Sequence, residues 1–127
     1  PALARGEWVL CDRFTDTSRA YQGSGRGLDM AQIETLADWV QGDIEPDLTI
    51  LLDAPAEIGL ERAKMRGDAD RMDSQALEFY RRARQGYLAL AERFSERFEV
   101  VDASVDIAAV QVSIQRILQN KLFSNLD

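Results

Sequence analysis

Histidine is absent from the 127 residues, and cysteine occurs once, at Cys11. Without histidine there is neither imidazole acid–base catalysis nor a zinc site built on imidazole. A single cysteine excludes an internal disulfide. Placed in the apolar run Trp8–Cys11, it reads as a buried thiol in a reducing, cytoplasmic protein. No apolar run approaches the ~20 residues of a membrane span, and no signal-peptide pattern opens the chain. Positive charge is also in deficit, with 15 lysines and arginines against 22 acids and a net charge of −7. A nonspecific nucleic-acid binder needs the opposite balance, so neither nucleic acid nor membrane is an expected partner.

What is present suits one globular domain or a piece of one, 46% hydrophobic and 29% charged. Three apolar runs read as strands: Glu7–Asp12, Leu48–Asp53 and Phe98–Asp102. Apolar on both faces, they suggest a parallel sheet covered on both sides. Asp29 followed by Gln32 has the form of a capping box, and Met30, Ile33, Leu36, Ala37 and Val40 then recur at helical spacing up to Gly42. Pro55 opens a second helix that ends near Gly67. A long helix is expected over Ser74–Arg97 and a last one from about Asp106 to Phe123. Strand, helix, strand, helices, strand, helix is an α/β order with parallel strands.

In open α/β sheets, ligands bind beyond the carboxyl ends of the strands, where Asp12–Arg13, Asp53 and Asp102–Ala103–Ser104 all fall. A carboxylate there suits a magnesium ion or its waters, and the adjacent arginine offers a planar fork for phosphate. A structural ion pair closing a buried strand fits Asp12–Arg13 equally well. Gly23, Gly25 and Gly27 lack the lysine of G-x-x-x-x-G-K-[ST], so a flexible connection is favoured over a phosphate loop. Cations gather instead at Arg62, Lys64, Arg66 and Arg71, followed by Arg81, Arg82 and Arg84. The stretch Glu61–Asp73 reads either as a loop neutralising phosphate over a cleft or, more simply, as a solvated helix end.

Taken together, five segments in order resemble bacterial thymidylate kinases. They are "DRF" at 12–14, "AYQGSGRG" at 20–27, "PDLTILLDAP" at 46–55, "MRGDADRMD" at 65–73 and "VVDAS" at 100–104. The resemblance implies a P-loop-kinase-like three-layer fold and phosphoryl transfer from ATP to dTMP with Mg²⁺, giving dTDP and ADP. Residues 1–127 would form the carboxyl-terminal portion of one nucleoside monophosphate kinase domain, with the LID at about 66–73. Arg13 would grip the dTMP phosphate and Asp12 would act near Mg²⁺. Ser18 and Gln22 would face thymine, and Tyr21 would press on the sugar where a ribose carries its 2′-hydroxyl. Lys64, Arg66 and Arg71 would serve ATP, with Arg71 the leading catalytic cation of the LID. Asp102, Ala103 and Ser104 would border the adenine, mainly through backbone. A cytoplasmic homodimer is implied, with Trp39 and the Met30–Val40 face as contributors.

This chain departs from the family pattern at Thr17, where many relatives have serine, and at Asp73, where glutamate is usual. The family's amino-terminal strands and P-loop are also not in this sequence, so these residues alone are expected to be inactive. A kinase for another deoxynucleoside monophosphate, or a non-catalytic nucleotide-binding or dimerising fragment, is the alternative.

Overall fold

The computed structural model describes residues 1–67 and 74–124. After a single 3₁₀ turn at Leu3–Arg5, the helices are α1 (Thr15–Ser18), continued by a π-helical segment at Arg19–Gly25, α2 (Met30–Gln41), α3 (Ala56–Met65), α4 (Ser74–Arg93) and α5 (Ile107–Leu118), which ends in a π-helical turn at Gln119–Phe123. Strands β1 (Thr49–Asp53) and β2 (Phe98–Asp102) pair in parallel, with Thr49 opposite Phe98 and Asp53 opposite Asp102. The α/β order and the parallel pairing agree with the expectation.

Local chemistry accounts for the ends of these elements. Asp29 caps α2 by accepting from the Ala31 N–H at 3.0 Å, and Asp106 caps α5 by accepting from Ala109 at 2.8 Å. Pro55, with its fixed φ and missing N–H, stands just before α3. Helix α4 stops four residues earlier than expected. Turns over Phe94–Arg97 carry the Arg97 side chain back toward Asp16 and Thr49.

The core lies between the π-helical segment, α4 and the sheet. Ala20, Leu90, Ala91 and Phe98 are buried there, with Leu51, Tyr21, Tyr87 and Phe94 packed around them. Burying one side chain of phenylalanine size contributes about 1.5–3 kcal/mol. Small residues bring the helices close. A Cβ on Gly86 would lie 2.5 Å from Ser24 Cβ and 3.3 Å from Ala20 Cα, and one on Gly25 would lie 2.8 Å from the Phe79 ring. The glycines at 23 and 25 are therefore buried helix-packing positions and not a flexible connection.

The Glu7–Asp12 run does not form the expected strand. Trp8, Val9 and Leu10 are 66%, 57% and 100% exposed, and Cys11 is an exposed thiol where a buried one was expected. A strand needs a ladder partner for its N–H and C=O groups, and among the described residues β1 pairs only with β2. The run is held at Trp8, whose ring stacks on Phe123 at 5.4 Å. Nor is the sheet fully covered, since Leu52 and Val100 remain about half exposed.

Candidate functional site

The segment from Asp12 to Gly25 supplies the first neighbourhood. Extended backbone at Phe14 leads into α1, and the widening to π-helix is carried by bonds such as Arg26 N–H to Tyr21 O at 2.9 Å. π-Helical turns occur disproportionately at functional sites. Just upstream, Arg13 adopts φ 66°, a left-handed conformation that costs a residue with a Cβ roughly 1–2 kcal/mol. The Cys11 thiol donates to the Arg13 carbonyl at 3.2 Å across this bend.

Of the two readings of Asp12–Arg13, the structural ion pair is not seen among the described residues. The Arg13 guanidinium lies over the Tyr21 ring, 5.6 Å from its centroid. Its N–H groups make no hydrogen bond among the described residues, and the exposed Asp12 carboxylate is likewise unengaged there. Tyr21 is fixed in turn by Phe79, tilted at 5.7 Å, and by Tyr87, edge-on at 5.8 Å. The Tyr87 hydroxyl donates to Thr17 Oγ1 at 3.0 Å, and burial pushes its pKa above the usual tyrosine value. Ser18 and Gln22, four residues apart on the same helical segment, are both exposed.

Beneath this surface lies an ionic cluster that sequence reasoning missed. Asp16 and Arg19 are 5% and 6% exposed. Arg19 donates to Asp16 at 3.1 Å and to Glu34 at 2.9 and 3.0 Å, while Arg97 donates both terminal nitrogens to Asp16 at 2.8 and 3.0 Å. Burial opposes the charge on Arg19, but the bonds and charges of Glu34 and Asp16 outweigh it and leave its pKa raised. The hydrogen bond from Arg19 holds Glu34 below the usual glutamate range, helped by Arg93 at 3.0 Å. The i,i+3 spacing of Asp16 and Arg19 was a readable signal. Arg97 lies too far along the chain to offer one.

The second neighbourhood gathers at the strand ends. Asp53 and Asp102 are paired in register, and Arg84 grips Asp53 with two bonds of 2.8 and 2.9 Å. Asp102 accepts from the Ser104 hydroxyl at 2.5 Å and its N–H at 2.9 Å, which lowers the carboxyl pKa. Ala103 N–H donates to Asp53 O at 2.7 Å. From α3, Arg62 donates to the carbonyls of Ala103 at 2.7 Å and Ser104 at 3.4 Å. The backbone of this loop is thus largely engaged, leaving the carbonyls' second lone pairs.

The arginines of α4 are more than surface charge. Besides Arg84, Arg82 donates to Gly25 O at 3.1 Å and Arg81 pairs with Glu57. Of the clustered cations, Arg62, Arg81, Arg82 and Arg84 therefore have protein partners, whereas Lys64 is exposed on the last turn of α3. Arg66 follows as an exposed residue at the end of that helix. Arg71, Asp73 and the LID beyond Gly67 lie outside the described residues.

Among the described residues no three His, Cys, Asp or Glu side chains converge on a metal position. Magnesium does not require such a cage. It is commonly held by one or two carboxylates, waters and substrate phosphates, and the unengaged Asp12 carboxylate fits one of those positions. No helix of the described residues is long and apolar enough to cross a membrane.

The family model for thymidylate kinase matches residues 1–114. The chain belongs to the thymidylate kinase family. It is 52% identical over 114 residues to a thymidylate kinase of Methylococcus capsulatus, an alignment covering 90% of this chain and 55% of that protein. Identity to the thymidylate kinase of Alkalilimnicola ehrlichii is 53% over 119 residues, covering 93% of this chain and 55% of that protein, and to that of Teredinibacter turnerae 50% over 119 residues, covering 94% and 58%. The chain spans about half the length of the curated relatives it matches. The P-loop kinase fold follows from this membership, and the two-stranded parallel sheet flanked by helices is consistent with it.

Proposed function

We propose that this chain is the dTMP-facing and adenine-facing portion of an ATP-dependent dTMP kinase domain. The observation that carries the reading is the Arg13 guanidinium, which lies over the Tyr21 ring 5.6 Å from its centroid and makes no side-chain hydrogen bond among the described residues, on a segment that also carries exposed Asp12, Ser18 and Gln22. Stacking orients a guanidinium while leaving its in-plane donors for a phosphate.

In this reading Arg13 binds the dTMP phosphate, Ser18 and Gln22 meet the thymine edge, and Tyr21 excludes a 2′-hydroxyl. Lys64, Arg66 and Arg71 neutralise the ATP phosphates or cover the adenine, with the Asp102–Ser104 loop along its edge. Asp12 would hold Mg²⁺, directly or through water; when bound, that ion neutralises charge between the two nucleotides. Catalysis is positioning and electrostatic stabilisation of the transferred phosphoryl group, with no covalent intermediate. We further propose a homodimer through α2, whose Leu36, Trp39 and Val40 are 58%, 85% and 80% exposed. The unpaired Cys11 thiol supports a cytoplasmic setting.

The test is dTDP formation from MgATP with dTMP, dUMP, dCMP and dAMP in parallel, alongside equilibrium binding of each. Turnover strongest with dTMP supports the full reading. Binding of dTMP without turnover identifies a nucleotide-binding portion, and preference for another monophosphate reassigns the substrate. Absence of both binding and turnover with every nucleotide overturns the proposal.

A further inference from the structure

We propose that Tyr87, on α4, is a positioning residue for Arg13, acting through Thr17 and Tyr21, and that it sets how tightly the site holds a phosphate monoester. The inference rests on the reading of Arg13 as the phosphate-binding arginine.

Among the described residues, the Arg13 guanidinium lies over the Tyr21 ring and makes no hydrogen bond, and its charge is also felt by the Tyr87 hydroxyl. Where its donors lie therefore depends on where that ring sits. The last torsion of a tyrosine is broad, so the plane must be set by neighbours. Phe79 and Tyr87 supply the two contacts, at interplanar angles of 54° and 81°. Tyr87 is itself held at its far end by the 3.0 Å bond to Thr17, and Thr17 lies four residues before Tyr21 on the same helical segment. The bond thus closes a ring of contacts from α4 through Thr17 to Tyr21 and back to α4. Without the hydroxyl, the Tyr87 ring still fills its space but loses this pin. The departure at position 17 is consistent with the requirement, because threonine keeps the hydroxyl that serine would supply.

The experiment compares Tyr87→Phe, Thr17→Val and Thr17→Ser with the parent chain. Three ligands are titrated: dTMP, thymidine, which lacks the phosphate, and ATP. The Arg13 Nε–H resonance, assigned from its loss in Arg13→Lys, reports the stacking without any ligand. Tyr87→Phe and Thr17→Val are expected to weaken dTMP by about 3–10-fold, the equivalent of one ordinary hydrogen bond, with thymidine and ATP within about twofold. The Arg13 resonance shifts toward that of a free arginine, Thr17→Ser restores parent behaviour, and the double variant is no weaker than either single one.

Unchanged dTMP affinity and an unmoved Arg13 resonance would overturn the proposal, as would equal weakening of dTMP and thymidine, the mark of a merely structural role. Should the parent bind no nucleotide, the functional reading fails, and the Arg13 resonance alone judges the relay. A shift in Tyr87→Phe then supports it, and no shift overturns it. If Tyr87→Phe does not fold, Thr17→Val carries the same comparison with α4 intact.

Discussion

Two regions of the molecule handle charge in opposite ways. Around α1 and the π-helical segment, ions are buried and multiply paired, with Arg19 and Asp16 both about 7% exposed at their side chains, although Arg97 Nε is buried without a hydrogen-bond partner. At the strand ends, ion pairs are open to water, with Arg84 39% and Asp53 19% exposed in their pair. The buried ions need every bond they make, because an unpaired charge in a low-dielectric interior is strongly destabilising. The exposed ions are screened, and breaking their pairs changes stability little. The buried cluster lies on the same helical segment as Ser18, Tyr21 and Gln22. Buried ion pairing is thus concentrated where the proposed dTMP contacts are, while the loop proposed to face the adenine is held by Arg62 from the surface.

The comparison breaks most easily at Asp16. Asp16→Ala removes the carboxylate that Arg19 and Arg97 share, leaving two buried guanidinium groups short of acceptors. The expected loss is about 3–5 kcal/mol, read as a fall in the denaturant midpoint. A loss under about 1 kcal/mol would mean the cluster is as solvated as the strand ends.

Acid should expose the same contrast. A carboxylate whose folded pKa lies below its unfolded value stabilises the fold above the unfolded value and loses that contribution as pH falls through the folded one. Glu34 is such a group, lowered by its bond from Arg19. Stability is therefore expected to fall as pH drops below the ordinary glutamate range. Glu34→Gln should remove that part of the acid limb and lower stability at neutral pH by about 1.5–3 kcal/mol, the contribution of a charged hydrogen bond. Denaturant midpoints between neutrality and pH 3 for both chains check it, and parallel acid limbs would show that Glu34 is not the group responsible.

Packing repeats the asymmetry. Gly86→Ala places a methyl against Ser24 and the Ala20 backbone, where α4 and the π-helical segment approach closely. Overpacking costs about 1–3 kcal/mol, and the helix gains up to about 1 kcal/mol from losing a glycine, for a net loss of about 1–2 kcal/mol. Calorimetry on the purified variant would detect it. A higher Tm would show that α4 can move away from the π-helical segment.

How far the sequence could be read follows the same division. β1, β2, the Asp29 cap and the start of α5 near Asp106 are local features, set by apolar runs and side chains reaching one turn ahead. They are where expectation and structure agree, although the Asp29 side chain accepts from Ala31 and no return bond from Gln32 is seen among the described residues. The Glu7–Asp12 run was misjudged because strandedness belongs to a ladder, and composition alone does not provide the neighbour. The Asp16–Arg97 bond joins residues 81 positions apart, and no local pattern foretells it. Within the candidate site, Arg13, Tyr21 and Gln22 were visible through the motifs they occupy. The contact between Arg13 and Tyr21 became apparent only in three dimensions, as did the Tyr87–Thr17 bond.

Gly59 offers the smallest effect and reverses the sign. It lies inside α3, exposed, with nothing within 4 Å of where a Cβ would stand. Alanine there meets no neighbour and restricts the unfolded chain, so Gly59→Ala is expected to stabilise by about 0.5–1 kcal/mol. The same substitution at Gly86 destabilises, although both glycines sit in helices of ordinary handedness. Helix propensity favours alanine at both positions and cannot separate them; only the distance to the next element can. Measuring the two variants side by side therefore isolates packing from propensity. Stabilisation at both positions would mean that the close approach of α4 to Ala20 and Ser24 contributes nothing to holding the segment that carries Tyr21.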